Sequence, residues 1–215
     1  MKIVLLGPPG AGKGTQAQRL SEMLSYFHIS TGRMVRAQIE AGTELGHRMR
    51  AYHDRGELVP DELILELLRP NLEPAGRWIL DGFPRSIHQA RVLDRMLEER
   101  GISLSHVIVL EAPDEVLVER VRGRLVSRST GRTYHVEHDP PPDPREHLDP
   151  GPFERRTDDN EAALRRQLEI YRREIGDIKR FYAGKGILEE VDAARPIPEV
   201  TESILELLGH PERVG

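Results

Sequence analysis

The sequence predicts an alternating α/β fold, a five-stranded parallel sheet with helices on both faces, carrying two inserts. Three observations support this. Five short runs of β-branched and aliphatic residues recur along the 215 residues: Lys2 to Leu6, Phe27 to Ser30, Arg77 to Leu80, Val107 to Leu110 and Ile187 to Val191. Between them, apolar residues fall at helical spacing, and strand then helix, repeated, buries a parallel sheet between two helical layers. The first run also passes directly into a glycine-rich segment that opens a helix. A chain of this length suits one large domain with insertions, or two small ones.

In chain order, Lys2 to Leu6 is apolar throughout after its lysine, as expected for a strand covered on both faces. Ala17, Leu20 and Leu24 mark the buried face of the helix that follows. Phe27 to Ser30 reads as a second buried strand. Residues 30–59 show helical patches and no strand, and Pro60-Asp61 starts another helix, because proline followed by an acidic residue suits a helix N-terminus. The third strand leads to a helix on Ala90, Leu93 and Leu97, and the fourth to one starting at Pro113, Asp114 and Glu115. Residues 123–160 hold six of the sixteen prolines and little periodicity. Gly131 to Val136 reads as a turn into a strand, which favours a small β lid. Leu164, Leu168, Tyr171, Ile175 and Ile178 define a long helix after Asp159; Val200, Ile204 and Leu207 a closing one. The expected division is a core of 1–29, 60–122 and 161–215, an insert at 30–59 and a lid at 123–160.

Composition excludes several classes. With no cysteine there is no disulfide, thiol nucleophile or thiolate metal site. No apolar run approaches the roughly 20 residues that span a bilayer, and the N-terminus reaches its glycines before a cleavage site could occur, so a soluble cytoplasmic protein without membrane partners is expected. A net charge of −5 disfavours a dedicated nucleic-acid binder. Only four of the 31 basic residues are lysines, leaving 27 arginines, the side chain suited to gripping phosphate with a planar fork.

Two motifs carry chemistry. Gly7-Pro8-Pro9-Gly10-Ala11-Gly12-Lys13-Gly14-Thr15 lies between a strand and a helix, the setting of a phosphate-binding loop. Glycines let backbone N–H groups converge on phosphate oxygens, and Lys13 adds a point charge. A ligand-free turn would need neither Lys13 nor Thr15. The hydroxyl falls at Thr15 rather than directly after the lysine, so direct Mg²⁺ ligation by the loop is not expected. The second motif is Trp78-Ile79-Leu80-Asp81-Gly82-Phe83-Pro84-Arg85. Asp81, at the carboxyl end of a buried strand, can hold the waters around a nucleotide-bound Mg²⁺, with Arg85 turned into the same crevice. Alone, such an aspartate would read as a helix cap or ion-pair partner.

GPPGAGKGT and DGFPR together resemble the nucleoside monophosphate kinases, adenylate kinase in particular, a fold of the P-loop NTPase type. The resemblance covers nearly the whole chain. It implies that Gly10, Ala11, Gly12, Lys13, Gly14 and Thr15 cradle ATP. Arg120, Arg124, Arg132, Thr133, Tyr134 and Arg195 would complete the ATP side. Thr31, Arg36, Glu57, Leu58, Val59, Gly82, Phe83, Pro84, Arg85, Gln89 and Arg156 would line the AMP side, with Asp81 on Mg²⁺ through water. Lys13, Arg36, Arg85, Arg124 and Arg156 would surround the transferring phosphoryl group. Arg156 with Asp158 and Asp159 resembles the lid exit. Gln89 presents a donor and an acceptor that suit the adenine edge.

The sequence departs from the family pattern in four ways. Arg33 stands where aspartate is usual, Gln167 where an AMP-side arginine is usual, and Ala193 where glycine is common. The lid lacks the four cysteines that bind zinc in some relatives, and Ser127, Thr130 and Asp149 loosely suggest the polar network of others. His135, His138 and His147 lack the spacing of a closed zinc site, so no structural zinc is expected. The implied reaction is MgATP plus AMP giving two ADP, by a monomer. A UMP/CMP kinase of the same fold and a non-catalytic nucleotide switch are the alternatives. A guanine-reading NKxD motif is absent, since Asn71 and Asn160 precede Leu72 and Glu161.

Overall fold

A computed structural model describes residues 1–210 apart from 74, 144–147 and 157–158; Asp158 and His147 therefore lie outside the described residues. The main sheet is built from β1 (Lys2–Leu6), β2 (Phe27–Ser30), β3 (Trp78–Asp81), β4 (His106–Glu111) and, late in the chain, β8 (Leu188–Asp192). All neighbours are parallel, in the order β2-β3-β1-β4-β8. Side chains alternate faces along each strand. Val4, Leu6, Leu80, Val107 and Val109 join one apolar cluster and Ile3, Leu5, Ile79, Ile108 and Leu110 the other. The three inner strands are thus covered on both faces. β2 and β8 are edges, and the expectation that they would be buried is corrected: Phe27 is 59% exposed and only Val191 of β8 is buried.

The connecting helices follow the apolar spacing. They are α1 (Lys13–Leu24), α4 (Asp61–Leu68), α5 (Ile87–Glu98), α6 (Asp114–Arg122), α7 (Glu161–Ala183) and α8 (Ile197–Leu207). The side chain of Asn160 caps α7 by accepting the Ala163 N–H, and Ser86 caps α5 through Gln89 N–H. In α8 the buried residues are Val200, Thr201, Ile204 and Leu205, whereas Leu207, expected on that face, is 38% exposed.

Between β2 and β3 lie α2 (Thr31–Glu40) and α3 (Glu44–Asp54). Their Val35, Ile39 and Met49 enter the same apolar cluster as Leu63, Leu68 and Trp78. Between α6 and α7 stands a separate antiparallel sheet of β5 (Arg124–Ser127), β6 (Thr133–His135) and β7 (Phe153–Glu154), in the order β6-β5-β7. Its centre is polar. The carboxylate of Asp149, 3% exposed, accepts hydrogen bonds from Ser127 Oγ (2.6 Å), Ser129 Oγ (3.1 Å), Thr130 Oγ1 (2.7 Å), Tyr134 Oη (2.9 Å) and Gly151 N (3.1 Å). Burial pushes its pKa up, and these donors overcome burial and hold it well below the usual carboxylate range. The Tyr134 phenol moves the other way, to about 12, through burial and its bond to Asp149.

Candidate active site

β1 ends at Leu6 and the chain turns into α1 at Lys13. Gly10 and Gly12 adopt φ of +85° and +84°, left-handed values that side chains resist. No side chain caps α1, so its first N–H groups, which a helix cannot pair internally, face the loop as an anion site. Lys13 Nζ donates to the carbonyls of Gly7 and Pro8, both at 2.8 Å. Burial lowers its pKa to about 8; Asp81 opposes this, and Arg85, Arg124 and Arg156 add to the lowering.

Parallel pairing sets Asp81 opposite Leu5 on one side and Ser30 on the other, at the carboxyl edge of the sheet beside the loop. A Cβ on Gly14 would stand 3.6 Å from Asp81 Oδ2, so the glycine keeps the gap between carboxylate and loop open. Burial pushes this carboxyl up, and the His28 ring (3.3 Å), the Lys13 charge and the Ser30 hydroxyl (3.2 Å) outweigh it and hold the pKa at about 2. The group is an oxygen anion at neutral pH, the hard donor that Mg²⁺ prefers.

One cleft of about 710 Å³ collects every predicted site residue except Arg132, within the roughly 300–1,000 Å³ of small-molecule sites. The guanidinium of Arg132 instead lies 5.5 Å from the Tyr134 ring centre and 3.8 Å from Glu22 of α1. The other arginines are tethered. Arg124 makes a two-pronged pair with Asp159, Arg156 donates to Thr133 Oγ1 at 3.1 Å, and Arg85 Nε donates to Gly82 O at 2.8 Å. Arg120 is spent on main chain, donating to Ala193 O at 2.6 Å and more weakly to the next two carbonyls. It pins the loop that carries Arg195, whose own Nη2 donates to Ser203 Oγ at 2.8 Å.

Gln89 is 2% exposed and already engaged: Oε1 accepts the Arg85 N–H at 2.7 Å and Nε2 donates to Asp61 at 2.7 Å. One N–H and one lone pair remain for a ligand. On α7, Gln167 lines the cleft. Arg166 reaches Glu57 at 3.1 Å, and Arg165 turns away to Glu161.

Sequence reasoning missed His28 and set His135 aside with the other lid histidines. His28 shares a strand face with Ser30 two residues on, a signal that could have found it. His135 is 9% exposed, and its Nε2 sits so close to the backbone that a Cβ on Gly123 would come within 2.1 Å. Glu119, His135 and His138 are, among the described residues, the one group with metal-ligand spacing, within 4.8 Å. Nδ1 of His135 accepts the N–H groups of Glu137 and His138 at 3.1 and 3.2 Å, so the ring proton sits on Nε2 and that nitrogen offers a metal no lone pair. The donor set does not fit zinc, and without cysteines there is no zinc–cysteine site.

A family model described as "Adenylate kinase" matches residues 5–187. Proteins described by the same words are similar along nearly the full length. That of Moorella thermoacetica is 43% identical over 213 residues, 97% of this chain and 98% of its own. That of Streptomyces coelicolor is 42% identical over 215 residues, 97% of this chain and 98% of its own. That of Neurospora crassa is 40% identical over 212 residues, 96% of this chain and 76% of its own. A phosphate loop whose lysine stands among three arginines and a buried aspartate is thus matched along its whole setting, and the chain belongs to the adenylate kinase family.

Proposed function

We propose the following division of labour for the family reaction, ATP plus AMP giving two ADP and back. Phosphoryl transfer passes through a loose transition state with little covalent work for the protein, so positioning and charge stabilisation dominate. The observation that carries the assignment is the convergence of Lys13, Asp81, Arg85, Arg124 and Arg156 in one cleft. Residues Gly10 to Thr15 hold the ATP phosphates on the α1 N-terminus. Lys13 stays largely protonated at neutral pH, and bound phosphates stabilise its charge further. Arg124 and Arg156 approach from the lid side, Arg36 and Arg85 from the AMP side, and no general base is assigned.

Thr31, Glu57, Leu58, Val59, Gly82 to Arg85 and Gln89 line the acceptor pocket, with the spare donor and acceptor of Gln89 turned to the base. Thr133, Tyr134 and Arg195 cover the donor. Asp81 would hold Mg²⁺ through water; that ion, when bound, neutralises charge on the donor phosphates. The 30–59 insert and the 123–160 lid close over the two nucleotides and exclude water that would otherwise take the phosphoryl group.

A coupled assay of ATP against AMP, UMP, CMP and GMP tests the acceptor, and AMP is expected to be preferred by a wide margin. Lys13→Ala and Arg85→Ala should each lower kcat by about 10²–10³ with small changes in KM. Lost binding with normal kcat would move both residues to uniform binding.

A further inference from the structure

Arg33 opens α2 beside the cleft and makes no ion pair among the described residues. Its Nη2 lies 2.7 Å from Nδ1 of His28, and Nε2 of the same ring lies 3.3 Å from Asp81 Oδ2. Guanidinium can only donate and an ionised carboxylate can only accept. Nδ1 therefore carries the lone pair and Nε2 the proton, and both ends of the ring demand the same tautomer. The His28 and Asp81 side chains are each only 10% exposed, which limits competition from water. Arg33 also reaches the lid: a Cβ on Gly131 would stand 3.2 Å from its Cδ.

We propose that Arg33 is a positioning residue that acts on Asp81 through His28, fixing the ring so that its N–H holds Oδ2 and leaves the other carboxylate oxygen directed to the metal's waters. This rests on the reading of Asp81 given under Proposed function. The chain Arg33–His28–Asp81 joins α2, β2 and β3, and the lid turn at Gly131 packs against its outer end. A cation at position 33 can serve the metal side at one remove, by orienting an anion rather than by supplying one.

The test has two readouts. In nucleotide-free, Mg²⁺-free protein, ¹⁵N NMR of the His28 ring should report the Nε2–H tautomer. Arg33→Met keeps the stem and removes the donor; Asp81 still asks for a proton on Nε2, so the tautomer should hold while the ring loses its fixed orientation, read as a shifted and broadened Nδ1 resonance and faster exchange of the Nε2 proton with water, and Arg33→Lys should restore the parent signals at least in part. In steady-state kinetics, Arg33→Met should raise the Mg²⁺ concentration needed for half-maximal rate about three- to tenfold, with KM for AMP unchanged. His28→Gln supplies an amide donor that needs no orienting, so Arg33→Met on that background should cost less than twofold.

A His28 ring that is Nδ1–H in the parent protein, or unaltered by Arg33→Met, overturns the chain. An altered ring with unchanged Mg²⁺ dependence overturns the positioning role if Asp81→Asn does shift that dependence. If Asp81→Asn leaves it unchanged as well, the reading of Asp81 itself falls. Melting temperatures of the variants within a few degrees of the parent exclude misfolding as the cause.

Discussion

The helical insert and the lid both border the cleft, yet different forces hold them. The insert is a lobe of the main core, since Val35, Ile39 and Met49 share one apolar cluster with Leu68 and Trp78. Among the described residues of 123–160, none joins either apolar cluster. The lid closes instead on Asp149 and its five donors, with an edge-to-face contact of Tyr134 on Phe153 at 5.4 Å. Burial of apolar surface is non-directional and spreads cooperatively through whatever it touches. A satisfied polar hub is local, and is costly only when one of its members is lost. The insert should therefore melt with the core, and the lid should be able to open or unfold by itself.

The largest effect is expected from Asp149→Ala. Four hydroxyls and an N–H lose their acceptor, at about 1–3 kcal/mol for a buried group left unsatisfied, more than three short strands can absorb. Calorimetry should show a separate early transition, with protease cuts confined to 123–160 and the core transition nearly unmoved. A single lowered transition would contradict lid autonomy. The same hub sets an acid limit. The depressed pKa of Asp149 contributes stability that is present above the unfolded value of about 4 and is lost as pH falls below it. Lid cleavage should accordingly rise at pH 3 relative to pH 7.

Gly46→Ala addresses the insert. A Cβ there would lie 2.0 Å from the Gln38 carbonyl oxygen and 2.8 Å from Ile39 N, both backbone, so α2 and α3 must part. Overpacking of this kind costs about 2–3 kcal/mol, and the melting temperature should fall by roughly 4–12 °C in one transition. An early transition belonging to the insert alone would erase the contrast. Gly123→Ala is milder, because the obstacle at 2.1 Å is a side chain, the ring of His135, which can shift at the expense of the hydrogen bonds at its Nδ1 rather than by moving backbone. KM for ATP should rise up to about tenfold, in line with 1–1.4 kcal/mol, while KM for AMP stays put; equal changes in both would mean that the two sides of the cleft are not separable.

The smallest effect is expected on α7. Gln167 lines the cleft without charge, and charge-assisted hydrogen bonds are about twice as strong as neutral ones. Gln167→Arg should preserve kcat/KM for AMP or raise it a few-fold. Arg166→Ala, which leaves Glu57 to Arg55 alone, should lower it, and Arg165→Ala should do little. Inactivation by Gln167→Arg with a silent Arg166→Ala would mean that α7 presents another face.

Local order was legible because it is written in spacings of a few residues. Strand, glycine loop and helix follow one another from Lys2 to Leu24 as the periodicity requires, and the long helix after Asp159 begins at Glu161 with its apolar residues on the expected face. Asp81 was recognisable because a carboxylate ending a buried strand beside a phosphate loop has few other uses. Lid strands β5 and β7 were not legible: four and two residues long, they carry too little pattern to register. The loose hint in Ser127, Thr130 and Asp149 became a specific hub only when the folded turns brought residues some twenty positions apart within hydrogen-bond distance.

By itself the sequence determined the alternating class, the phosphate loop, the identity of the arginines and the absence of thiolate chemistry, all properties of composition and short-range order. Tertiary structure alone decided that β2 and β8 are edges, that Arg132 lies beside Glu22, that Gln89 is already engaged by Asp61, and that His28 stands between Arg33 and Asp81. The physical reason is distance along the chain. Which strand neighbours which, and which turn folds back onto which helix, depends on burial summed over the whole molecule, and no window of a few residues contains that sum.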